Sequence, residues 1–153
     1  MAGSRVRDCV NAAVDALKVD ATLLGIVGTS KVFTHVRQGT DPPYVMVMGG
    51  DEVPWAQTFA AVKGVTPFTD GGDSGGRQVD VQVQCVSTYR GSAEVDAMAS
   101  RVMELLTDVQ TWSLVDLFQV ADFVANRSQP PIDLNNDGVL WFVRLVTIRV
   151  TLA

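Results

Sequence analysis

Two stretches of this chain combine residue types at spacings that chemistry could use. The first is Gly72-Asp73-Ser74-Gly75-Gly76, a serine between glycines and beside an aspartate. Such a serine becomes a nucleophile when a histidine lies within hydrogen-bond reach and a carboxylate orients that histidine. Backbone N–H groups must also form an oxyanion hole. His35 precedes the string, and Asp41, Asp51 or Asp70 could supply the carboxylate, an order known among serine proteases. The surroundings weigh against that reading. Proteases with this order need two β-barrels, more chain than 153 residues provide. His35 sits in Phe33-Thr34-His35-Val36 rather than beside small residues. Gly/Asp strings also arise readily in solvated loops. A serine hydrolase is therefore the weakest of the functional readings, and no catalytic residue is assigned.

The second stretch is Asp133-Leu134-Asn135-Asn136-Asp137-Gly138, which matches the first half of a helix–loop–helix calcium site. Oxygen ligands fall at positions 1, 3 and 5, and glycine permits the turn. The twelfth position, where a bidentate Glu is needed, is Arg144. The flanks are Pro130-Pro131 and a strand-like run. A hairpin turn is the better reading, because Asp-Gly accommodates positive φ. One histidine and two scattered cysteines, Cys9 and Cys85, make a zinc site improbable. Each cysteine falls on an apolar face, which predicts two buried thiols. Trp112 and Trp141 have aliphatic and aromatic neighbours, which suits packing or an interface better than ligand stacking. The adjacent Asp51-Glu52 pair reads as a solvated loop face. Neither a phosphate-binding Gly-Lys-Ser/Thr loop nor a dinucleotide fingerprint is present, so no cofactor is expected.

The elements that would position these residues can be read from periodicity. Val79, Val81, Val83 and Cys85 alternate with Asp80, Gln82 and Gln84, the period of a half-buried strand. After a polar break, Ser92 is placed to cap a helix. Glu94 and Asp96 lie in its first turn, and Val95, Met98, Ala99, Val102 and Leu106 form one stripe. Ser4 to about Val19 predicts a first helix, buried through Val6, Cys9, Val10, Ala13, Val14 and Leu17. Asp20 caps a short second helical segment, 21–26, which Gly28 ends. Strands are predicted over 31–36, 44–48, 114–126 and 139–152. The last is apolar on both faces through Leu145, which suggests a central strand or one covered by a partner. The fold class is thus α+β: a mostly antiparallel sheet with two main helices on one face.

Residues 49–76 form a long, loop-like excursion within a single domain spanning 1–153. Its centre, 69–76, is polar and Gly-rich, yet Trp55, Phe59, Val62, Val65 and Phe68 lie in the same segment. Long loops in compact domains are usually functional or disordered, and one carrying large apolar groups is suited to docking.

The formal net charge of −5 disfavours tight binding to a nucleic-acid backbone, which requires clustered Lys and Arg. Hydrophobic residues make up 47%, enough to build a core rather than a disordered chain. The first residues are polar and helical in pattern, so no signal peptide is expected. No run reaches the roughly 18 apolar residues of a membrane span. The expectation is a soluble protein made and kept in a cytoplasm.

The order of these elements, with particular residues, resembles the tail-completion or tail-terminator family of long-tailed phages and gene transfer agents. The residues that carry the resemblance begin with the turn Asp20-Ala21-Thr22-Leu23-Leu24-Gly25-Ile26-Val27-Gly28. Pro42-Pro43-Tyr44-Val45 then leads into a strand. Val79 to Cys85 with Tyr89 follows, and Ser92 to Leu106 completes the pattern. The resemblance covers nearly the whole chain.

It implies a structural virion protein that forms a homo-oligomeric ring, a hexamer, on the head-proximal end of the tail tube. The ring stops tube polymerisation and meets the head's connector, or stopper, protein. Genomic DNA passes through the lumen without specific binding, and no membrane is involved. The interface expected under this reading comprises Trp55, Phe59 and Phe68 of the excursion, with Arg77, and Val139, Trp141 and Val143 of the last strand. A neck or head-completion protein and a diverged tail-tube subunit are the related alternatives.

Overall fold

The computed structural model describes residues 5–28, 31–34, 41–54, 77–88, 93–114, 117–120, 125–128, 130–133 and 138–152. Helices α1 (Val6–Lys18) and α2 (Ala21–Val27) open the chain. Strands β1 (Val32–Phe33), β2 (Tyr44–Pro54) and β3 (Arg77–Ser87) follow. Then come α3 (Ala93–Leu106), a 3-10 turn (Val109–Thr111), and strands β4 (Leu117–Val120), β5 (Ala125–Ser128) and β6 (Phe142–Leu152). The architecture is α+β, as the periodicity predicts. The strands form one sheet in the order β1-β2-β3-β6-β4, with β5 also paired to β6. Only β1 and β2 run parallel among the described pairs; the others are antiparallel. Among the described residues, no helix is long and apolar enough to cross a membrane.

The centre of the sheet is β3 against β6, in register from Arg77↔Leu152 to Ser87↔Phe142 without a break. The alternation read in the sequence decides which face is inside. Val79, Val81, Val83 and Cys85 of β3 are fully buried, as are Val146, Ile148, Val150 and Leu152 of β6. They face α1 and α3, whose Cys9, Ala13 and Leu17, and Met98, Val102 and Leu106, are buried against them. Full burial of one such aliphatic side chain contributes about 1.5–3 kcal/mol. The Asp80–Arg149 pair on the opposite sheet face is 3.0 Å long, but Arg149 is half exposed. A pair of that kind contributes about 0–1 kcal/mol. The covered face therefore dominates stability.

Several boundaries differ from the sequence reading. β2 does not stop at Met48 but continues to Pro54, so residues 49–54 belong to the sheet and not to the excursion. The Gly49-Gly50 pair reads as a breaker in sequence, yet here it serves close packing and a bulge. The register moves from Gly49↔Val81 to Glu52↔Val79, so Gly50 and Asp51 stand against Asp80 alone, a bulge of one extra residue. A Cβ on Gly49 would stand 2.1 Å from Val6 Cγ1 of α1. Glycine there leaves room for the Val6 side chain of α1. Beyond the bulge, Glu52 Oε1 accepts the N–H of Arg5 at 3.2 Å, which places a carboxylate at the N-terminus of α1. The supposed solvated face at Asp51-Glu52 is thus half right: Asp51 is exposed, and Glu52 is tied to a helix.

The strand predicted over 114–126 is replaced by two short strands along one edge of β6. β4 pairs with residues 150–152 and β5 with residues 144–147. Between Val120 and Ala125 this edge advances more residues than β6 does between Val150 and Thr147. β6 is therefore flanked by partners on both sides, as its two-sided apolar start suggested. The strand predicted over 31–36 is seen as Val32–Phe33, and residues 35–36 lie outside those described. The predicted Ser92 cap also lies outside them.

Helix ends are fixed by named polar contacts. Asp20 Oδ2 accepts the Leu23 N–H at 2.8 Å, and Gly28 ends α2 at φ 91°. Arg101 of α3 donates to the same carboxylate through Nε at 2.9 Å and Nη2 at 2.7 Å. Trp112 is buried and donates its indole N–H to the Leu106 carbonyl at 2.8 Å, which closes the last turn of α3.

Two outcomes are expected. Gly49→Ala should destabilise the fold by about 1–3 kcal/mol in urea unfolding, and Val6→Ala in the same chain should recover part of that loss. For Asp20, the Arg101 guanidinium holds the carboxyl below its ordinary value of 3.8. That stability is fully present above the ordinary value and is lost as pH falls through the lower folded-state value. Asp20→Ala should cost about 1 kcal/mol at pH 7. Its gap from the wild type should narrow below about pH 4 in a pH series of melting curves; a gap that stays constant down to pH 2 would contradict the pairing.

Candidate assembly surface

The residues with chemical potential do not assemble into a reactive centre among the described positions. Ser74, Asp70 and His35 lie outside the described residues. Asp41 and Asp51 are exposed on separate elements. In the calcium-like string, residues 134–137 lie outside those described. Asp133 accepts the Gly138 N–H at 3.2 Å, and Gly138 has φ 79°, as a turn requires. Arg144, at the position where calcium needs a Glu, donates to Asp96 of α3 at 2.7 Å. Among the described residues, no three His, Cys, Asp or Glu side chains gather as a metal site would require.

Cys9 and Cys85 are fully buried thiols, as expected. Burial pushes the Cys85 thiol up to about 12, against a weaker opposing effect of nearby Arg144. A thiol in that state is a poor nucleophile near neutral pH. A depression of about 560 Å³ on one side of α1 is lined by Arg5, Asp8, Asn11, Asp15, Ser113 and Leu114. It holds a serine and carboxylates without a histidine, and its Arg5 and Asp8 are paired with each other at 2.8 Å.

What the structure does build is an apolar projection. Ile132 and Trp141 exchange two backbone hydrogen bonds, Ile132 N–H to Trp141 O at 3.0 Å and Trp141 N–H to Ile132 O at 2.7 Å. This bridge continues the β5–β6 pairing past Phe142, where the β3 pairing ends. Ile132 and Trp141 thus lie beyond the end of the β3 pairing. Ile132, Val139 and Leu140 are 39%, 42% and 46% exposed, large values for aliphatic side chains. Exposed Pro130 and Pro131 lead into it. Of the interface residues expected from sequence, Val139 is exposed here and Trp141 is half-buried beside it. Val143 is only 8% exposed, opposite Val86 in the sheet, so its side chain packs within the subunit. Arg77 is a backbone partner of Pro54 and Leu152, while Trp55, Phe59 and Phe68 lie outside the described residues. Sequence reasoning passed over Ile132, which only the bridge places opposite Trp141.

The sheet also fixes where the two expected docking segments attach. Residues 55–76 leave from Pro54 and return at Arg77, which pair with each other at the Leu152 end of β6. The hairpin leaves from the Phe142 end. An eleven-residue strand separates the two attachment points, roughly 33 Å at ~3.3 Å per residue.

Comparison with known proteins gives the context. No curated protein sequence matches the chain. A solved chain from the virion of a native gene transfer agent particle has the same fold, with a TM-score of 0.65 and 18% identity. That match covers 99% of this chain and 100% of the other. The family described as tail completion protein gp17 matches residues 11–145, from the middle of α1 into β6. The chain therefore belongs to the tail completion protein gp17 family, and it is a tail structural protein by that membership.

Proposed function

We propose that the whole chain, 1–153, acts as one tail-terminator domain. Copies form a hexameric ring on the head-proximal end of the tail tube, halt its polymerisation and join it to the head connector or stopper protein. The family match over residues 11–145 carries this reading. The likeness in fold to a chain of a gene transfer agent virion supports it. So does the placement of two unlike attachment points at opposite ends of the sheet, since a joining protein must meet different neighbours on its two sides. The role is mechanical rather than catalytic. DNA passes through the lumen without specific contacts, consistent with a net charge of −5. The protein is assembled in the host cytoplasm and resides in the virion.

Under this reading Trp55, Phe59 and Phe68, with Arg77 at the base of their segment, dock on the tube or on a neighbour. Val139 and Trp141 serve the other end. Purified protein should form discrete rings, alone or on tube ends, and stop tube growth in negative-stain images. Unending filaments of this protein alone would instead make it a tube subunit. A monomer indifferent to tubes would make it a neck protein. Trp55→Ala, Phe59→Ala and Phe68→Ala should leave circular dichroism and melting unchanged while abolishing capping. Normal capping by all three would remove the excursion from the interface.

A further inference from the structure

We draw no further inference here: the strongest candidate, the sheet face turned away from the helices, where Met46, Met48, Gln82 and Gln84 are half-buried side by side, carries nothing because nothing in the structure shows what covers it.

Discussion

The unbroken β3–β6 pairing is the constraint on which the rest of this molecule depends. It holds matched positions from Arg77↔Leu152 to Ser87↔Phe142, so both strands present the same face at every step. A slip by one residue would turn Val79, Val81, Val83 and Cys85 away from the helices and expose them. The burial of that face is the main source of stability, and it also fixes direction. One end of the pair carries the connection from Pro54 to Arg77, and the other carries the Ile132–Trp141 hairpin. The separation of the two ends follows from strand length alone.

Polar side chains in this fold mainly orient helices. Asp20 caps α2 and grips Arg101 of α3. Ser87 donates to Glu94 at 2.6 Å, which ties the end of β3 to the first turn of α3. Arg144 holds Asp96, two residues further on in the same first turn. Pairs with this much solvent access contribute little each. They decide instead how α3 lies across the sheet, because several of them must be satisfied together. Residue types that suggest chemistry in the sequence thus have structural employment: Arg144 belongs to a helix contact, Asp133 to a turn and the cysteines to the core.

Under the proposed function the protein requires a rigid body and surfaces of different character at its two ends. The covered sheet face supplies the first. The second is met by chain segments emerging at opposite ends of an eleven-residue strand pair.

Much of this was readable from residue order. The period-2 run at 79–85, the helical stripe at 95–106 and the Asp20-to-Gly28 segment each depend on contacts within a few residues. Local periodicity and capping therefore specified them, and with them the α+β class. The resemblance to a tail-completion family likewise came from packing and turn patterns along the chain. Three features needed the tertiary structure. Gly49-Gly50 looked like the end of a strand until α1 was seen to cross directly over it. Residues 114–126 looked like one strand until their register against β6 proved irregular. Ile132 comes to lie opposite Trp141 only because a cross-strand bridge folds the chain back on itself. Each turns on a contact between residues distant in sequence or on accumulated register, and neither quantity is written in local spacing.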